Sequence, residues 1–200
     1  KHFHNVLCLS EAKGMDINMK FINEKQFQKT DWKQVKDIYC EAFPKCERKP
    51  FFMLKHSVRT GKVQMLAAME GELLLGFLAA VPYEDMVMVD YLAVSDKIRS
   101  KGTGSRLLQE LCSRFAEKKV VLLIERPDVP AENINQRLDR RKFYFKNQFT
   151  SSGIYINGAG GEMEVLNFGG MVSGQEYMKL QKYALGRLLF AMSGIALASE

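Results

Sequence analysis

The sequence predicts a mixed α/β domain, with helices flanking a sheet that is mostly antiparallel but holds one parallel pair. Three observations carry this expectation. Residues 63–69 and 73–81 are strand-like runs joined by Glu70-Gly71-Glu72, which predicts a hairpin. A later run ending at Val94 leads through a glycine turn into an amphipathic helix. That helix is followed by the unbroken apolar stretch 120–124, the kind of run found in a strand buried on both faces. Strand, turn, helix and buried strand make a crossover unit whose two strands lie parallel.

Taken in order, residues 1–17 carry little pattern and are expected to be an N-terminal tail or extension, with Met15 or Met19 as candidate starts; residues 18–200 are expected to form one domain. Residues 19–23 suit a first strand. Asp31 is expected to cap a helix, because Trp32, Val35, Ile38, Tyr39 and Phe43 recur at helical spacing until Pro44. A basic loop, residues 45–50, leads to a second helix over about residues 51–59. Residues 82–85 are expected to turn the chain into a strand over residues 86–94. After the glycine turn, Leu107, Leu108, Leu111, Cys112, Phe115 and Ala116 keep one helix face apolar. Beyond Pro127 and Pro130 the pattern predicts a basic helix over about 133–147, then strands at 149–156 and 163–168. Ser173 with Glu176 three residues on is a capping box opening a further helix. Residues 185–198 are apolar but interrupted by Gly186, Arg187, Ser193 and Gly194, and read as a packed terminal helix.

Bulk properties bound the function. At 200 residues and 46% hydrophobic the chain fills one core without disulfides or metals. Cys8, Cys40, Cys46 and Cys112 show no C-x-x-C spacing, which argues against a zinc site and fits a reducing, cytoplasmic setting. No apolar run approaches the roughly 20 residues needed to cross a bilayer. The net charge of +6 is concentrated. Lys97, Arg99, Lys101, Arg106, Arg114, Lys118 and Lys119 face only Glu110 and Glu117 in the same window. Positive charge gathered at a glycine turn suits a phosphate-bearing small molecule as well as a polynucleotide. A solvated helix face explains Arg114, Lys118 and Lys119, but Arg99 and Lys101 less well.

Two nucleotide motifs are excluded at that turn. A Walker loop places its lysine after the last glycine, whereas Lys101 precedes both. The dinucleotide fingerprint lacks its third glycine, since position 107 is Leu, although Glu125 could stand for its ribose-binding acid. What remains is R-x-x-G-x-G between a strand and a helix. Gly102 and Gly104 let the backbone approach a ligand, successive N–H groups can converge on an anion, and the helix dipole adds to the attraction. A plain strand-to-helix turn is the competing reading.

Tyr91-Leu92-Ala93-Val94 followed by Arg99-x-x-Gly102-x-Gly104-Ser105-x-Leu107-Leu108 resembles motif A of the GNAT N-acetyltransferase superfamily. Downstream, Arg140-Arg141-Lys142-Phe143-Tyr144-x-x-x-Gln148-Phe149 is similar to that superfamily's F/L-Y-x-x-x-G-F helix end, with Gln148 in place of the glycine. Arg137 stands seven before the tyrosine, where many members carry a coenzyme-contacting Asn. Asn133, in Glu132-Asn133-x-x-Gln136-Arg137, resembles a bacterial subgroup's version of the helix.

The resemblance implies the GNAT fold, with its parallel pair splayed, and a site for acetyl-CoA or coenzyme A as co-substrate with no metal. It implies that main-chain groups of Leu92, Ala93 and Val94 pair with the pantetheine arm. Arg99, Lys101, Gly102, Thr103, Gly104 and Ser105 would hold the pyrophosphate, with Asn133 and Arg137 as further coenzyme contacts. Tyr144 would be the general acid for the departing thiolate, against the alternative of a core aromatic beside Phe143 and Phe145. Asp90 and Glu125 are the preferred candidate bases, with Glu84 a third and a water chain the remaining option. The loop from Phe43-Pro44 to Phe51-Phe52 is the expected acceptor wall.

The function implied is an acetyl-CoA-dependent N-acetyltransferase acting on a primary amine of a small molecule or protein, by direct attack in a ternary complex. A non-catalytic acyl-CoA-binding module is the alternative. A nucleic-acid-binding domain ranks last, because aromatic and basic residues do not interleave as in a stacking platform. The partners expected are acyl-CoA and an amine, with no nucleic acid and no membrane; a homodimer is left open.

Overall fold

The computed structural model describes residues 19–45, 48–96, 102–158 and 161–198. Along the chain run β1 (Lys20–Asn23), α1 (Lys29–Ala42), α2 (Phe51–Arg59), β2 (Gln64–Glu70), β3 (Leu73–Tyr83) and β4 (Met86–Val94). They are followed by α3 (Thr103–Arg114), β5 (Lys119–Glu125), α4 (Ile134–Lys146), β6 (Thr150–Gly158), β7 (Gly161–Phe168), α5 (Gly174–Leu185), α6 (Arg187–Ser193) and β8 (Ala196–Leu197). The strands form one sheet in the order β1-β2-β3-β4-β5-β7-β6-β8. Neighbours pair antiparallel except β4 and β5, which run parallel around α3. The mixed sheet with one parallel pair is the architecture the sequence predicts.

Two apolar layers sandwich the sheet. On one face α1, α2 and α5 bury Val35, Ile38, Tyr39, Leu54, Val58, Tyr177 and Leu180 against Phe77, Met86, Met88 and Val121. On the other, α3 contributes Leu107, Leu108 and Leu111 and the end of α4 brings Phe143 and Tyr144 over Val87, Val89, Val120, Leu122 and Ile124. Strands β4 and β5 serve both layers, which is why their sequences are nearly continuous in apolar residues.

Several elements differ in detail from the sequence reading. α1 begins at Lys29, so Asp31 is not its N-cap but its third residue; the Asp31 carboxylate accepts from the Gln28 N–H at 2.7 Å and caps from inside the helix. The turn expected over residues 82–85 is tighter. The ladder continues through Pro82↔Val87 and Tyr83↔Met86, leaving Glu84, at φ 50°, and Asp85 to reverse the chain. The expected terminal helix over 185–198 does not form as one piece: Gly186 (φ 81°) separates α5 from α6, and Gly194 (φ 64°) ends α6 before the edge strand β8. Leu188 and Met192 on α6 are each 74% exposed, so the segment is not packed as expected.

Candidate active site

The most informative feature is where the pairing of β4 with β5 stops. The parallel register runs Met86↔Lys119, Val87↔Val120, Met88↔Val121 and Val89↔Leu122, and goes no further. Both strands nevertheless continue, β4 to Val94 and β5 to Glu125. Their outer neighbours stay with them: β3 follows β4 to Gly76↔Val94, and β7 follows β5 to Glu125↔Met163. The two inner edges therefore diverge, each with main-chain N–H and C=O groups that the sheet does not pair. Such groups demand a partner, and an extended ligand can supply one.

A β-bulge accounts for the divergence. Ala79 pairs with Tyr91 and Ala80 with Val89, so Asp90 is an extra residue in β4. A bulge bends its strand and increases its twist, and it also resets the side-chain alternation. Met86 and Met88 lie on the α1/α2/α5 face, and after the bulge Tyr91 and Ala93 take over that face. Val87, Val89, Leu92 and Val94 point to the α3/α4 face, with Leu92 and Val94 half-buried.

The glycine turn opens α3 at the end of this cleft. Arg99 and Lys101 lie outside the described residues. Gly102 is the N-cap in the left-handed region, at φ 77°, where residues with a Cβ are strained. Its carbonyl accepts from the Arg106 N–H at 3.0 Å. The N–H groups of Thr103, Gly104 and Ser105 then have no acceptor within the helix. A Cβ on Gly104 would stand 3.1 Å from the Phe143 ring, so the first turn of α3 lies directly against α4 and Val94. Thr103 is only 2% exposed, and its Oγ1 has no hydrogen-bond partner among the described residues. A buried hydroxyl with no partner among the described residues, beside a row of N–H donors that the helix does not use, fits an anionic ligand such as a diphosphate.

α4 closes the β5 side through ion pairs. Glu125, at the end of β5, receives Arg140 Nη1 at 2.9 Å, Arg137 Nη2 at 3.1 Å and Asn133 Nδ2 at 3.3 Å. Arg137 also donates to Asn133 Oδ1 at 2.9 Å and to the Arg126 carbonyl at 3.1 Å. One turn on, Arg141 pairs with the buried Glu164 of β7 at 3.2 Å. Glu125, Asn133 and Arg137, read from the sequence as a candidate base and two coenzyme contacts, are thus brought together and spend their polar atoms on one another.

Tyr144 sits near the end of α4 with Phe143 at 5.1 Å and Phe149 at 5.9 Å between ring centroids. It packs into the same apolar layer as Leu92 and Val94. Burial pushes its hydroxyl up to about 12, with Arg140 opposing. Among the described residues that hydroxyl has no hydrogen-bond partner, so the side chain combines a core aromatic body with an unspent donor.

The opposite face of the cleft adds Lys49 and Lys62, which the sequence did not single out. Lys49, in the loop before α2, donates from Nζ to Asp90 Oδ2 at 2.7 Å. Tyr91 meets Tyr39 edge-on at 4.9 Å and Phe43 at 5.0 Å. Burial raises the hydroxyls of Tyr39 and Tyr91 above the ordinary phenol range, Asp90 adding to both. Lys62 is shifted down by burial and then by Lys49. Phe43 and Phe51, from the expected acceptor wall, do frame this face through Tyr39. Glu84 does not belong here: it precedes β4, at the end remote from Val94. His56 is exposed, and burial pushes the Cys112 thiol up to about 12, so neither resembles a nucleophile or a base at this site. Among the described residues no cluster of His, Cys, Asp or Glu is arranged to hold a metal.

Comparison with known proteins agrees with this fold. Residues 32–138 match the family model described as "Acetyltransferase (GNAT) family". A Bacteroides thetaiotaomicron protein assigned to the GNAT acetyltransferases superposes with a TM-score of 0.66 at 19% identity, covering 86% of this chain and 98% of its own. An aminoglycoside 6'-N-acetyltransferase complexed with coenzyme A gives 0.61 at 16% identity, covering 74% and 96%. A GNAT acetyltransferase from Elizabethkingia anophelis with acetyl-CoA bound gives 0.55 at 12%, covering 76% and 97%. No protein of curated function matches the sequence. The family match spans more than half of the chain, and the fold is shared with solved acetyltransferases: the chain belongs to the GNAT family of acetyltransferases.

Proposed function

We propose that this acyltransferase moves an acetyl group from acetyl-CoA to a primary amine, by direct attack while both substrates are bound. The single observation that carries the reading is the loss of β4–β5 pairing beyond Val89 and Leu122 while both strands run on. The pantetheine arm has the length and amide pattern to pair with main-chain groups of Leu92, Ala93 and Val94 as an added strand. Thr103, Gly104 and Ser105 offer N–H groups and hydroxyls to the pyrophosphate, and Arg99 and Lys101 are proposed to add charge.

In the transition state negative charge builds on the thioester oxygen, and a main-chain N–H of β4 stabilises it. The amine must reach the carbonyl neutral, and Asp90 is the carboxylate on the acceptor face that can take its proton. Tyr144, kept protonated by burial, returns a proton to the leaving thiolate. Glu125 is proposed as the anchor that fixes Arg137, Arg140 and α4 beside the cleft, and Asn133 completes that anchor. The aromatic wall of Tyr39, Phe43 and Tyr91 beside an acid favours a cationic amine carried on an apolar or planar group.

The test has two stages. Titration calorimetry with coenzyme A should show saturable one-site binding, and thiol release from acetyl-CoA should accelerate with at least one member of a primary-amine panel. Absence of saturation with coenzyme A would remove the site itself. Binding without thiol release for any amine in the panel would leave coenzyme recognition and defeat the transfer.

A further inference from the structure

We propose that Lys49 is an acyl acceptor of the chain's own site, so that the protein acylates itself at this lysine; the inference rests on the acyl-transfer reading of the cleft. Lys49 is not in a helix or strand but in the short segment before α2, and its ammonium lies 2.7 Å from Asp90 Oδ2. Asp90 is the bulged residue of β4 and the first one past Val89↔Leu122, where the strands part. A primary amine is thus already held on a carboxylate that stands at the mouth of the opening.

The loop is fixed in that position from both sides. The Tyr39 hydroxyl donates to the Lys49 carbonyl at 3.1 Å, and the Lys49 N–H donates to the Tyr91 hydroxyl at 3.3 Å. The ammonium also lies 5.7 Å from the Tyr91 ring centroid. Main chain and side chain are both located, which lowers the entropic cost of bringing an amine to a bound thioester. At 30% exposure the Lys49 side chain is neither sealed off nor free in solvent.

The step balances without a further reagent. Asp90 accepts a proton from the ammonium, and the neutral Nζ attacks the thioester carbonyl carbon. An amide N–C bond forms, the C–S bond breaks, and coenzyme A departs as the thiol after taking a proton. The net change is one lysine ammonium and one acyl-CoA converted to one N-acyl-lysine, one coenzyme A and one proton. The amide carries no charge, so the pair with Asp90 is lost. Asp90 is then released toward an incoming amine, and the acylated loop changes the wall that amine must pass.

Incubation of the whole protein with acetyl-CoA and no added amine, followed by intact mass and peptide mapping, reads this directly. The expected result is one acetyl group, at Lys49, with a rate that saturates in acetyl-CoA. Asp90→Asn should slow it on the order of 10²-fold. Lys49→Arg, which keeps a cation on Asp90, should remove the modification without adding one elsewhere. Urea-unfolded protein, as control, should give slow acylation scattered over many lysines. Coenzyme A binding with Lys49 unmodified, or acetyl groups spread in the folded protein as in the unfolded control, would overturn the proposal and leave the transfer reading standing. Failure to bind coenzyme A at all would overturn both.

Discussion

A threonine hydroxyl sealed from water without a partner costs a fold about 1–3 kcal/mol, and among the described residues Thr103 Oγ1 is such a group. The same hydroxyl becomes an asset when a phosphate oxygen arrives. Thr103→Val keeps the shape and removes the hydroxyl, so it should stabilise the ligand-free protein by about 1 kcal/mol and weaken coenzyme A binding about fivefold to tenfold. Thermal melts with and without coenzyme A check both signs at once; a variant that loses stability in the free form would show the hydroxyl to be satisfied. Tyr144 invites a second residue-level test. Its hydroxyl is held to about 12 by burial, so it stays protonated through any working pH. Tyr144→Phe should lower kcat by on the order of 10²-fold with little change in the KM for acetyl-CoA. The wild-type rate should show no alkaline decline from this group below about pH 11. A variant with unchanged kcat would leave Tyr144 a packing residue only.

At the scale of elements, the end of α4 shows how a family pattern and local physics meet. Gln148 follows the helix C-cap Asn147 and adopts φ 67°, the left-handed conformation for which glycine is the usual choice. A residue with a Cβ is strained there by roughly 1–2 kcal/mol, while glycine adds roughly 0.5–1 kcal/mol of unfolded-chain freedom. Gln148→Gly should therefore stabilise by about 0.5–1 kcal/mol, read as a shift of urea midpoint with unchanged slope; a fall in the midpoint would mean that Gln148 makes contacts worth more than its strain.

The elements also show what the sequence could and could not tell. Hairpin β2–β3, the crossover β4–α3–β5 and the glycine turn were legible because local periodicity and turn chemistry dictate them. The bulge was not, since an inserted residue in an apolar strand leaves no mark until a partner strand is present to count against. Lys49 was invisible for a related reason: its partner lies 41 residues away, and no local pattern announces such a pair. The segment after Gly186 was misread because its apolar residues suggested burial, yet the sheet offers it only the short edge pairing of β8 with β6.

The whole molecule stores its stability in a sheet buried on both faces, and that placement has a consequence at high pH. Tyr91 and Tyr177 are 6% and 0% exposed, and burial is the main reason their hydroxyls resist ionisation in the fold. In the unfolded chain both titrate near the ordinary value of about 10. A folded value above the unfolded one means that the stability is fully present below about pH 10 and is withdrawn as pH rises, up to about 1.4 kcal/mol per pH unit for each tyrosine. Lys62, shifted down by burial and Lys49, contributes with the opposite sign, but only until the unfolded lysine has lost its proton near pH 10.5. Lys119, raised by Asp85 and Glu176, adds to the loss. Urea midpoints should accordingly fall steeply above about pH 10.5. Tyr177→Phe separates the sources: it removes one buried phenol, so its stability should decline less steeply with pH than the wild type, by about 1.4 kcal/mol per pH unit. Parallel declines for the two proteins would show that the two-faced sheet lets water reach Tyr177, and that the layer under α5 opens before the fold is lost.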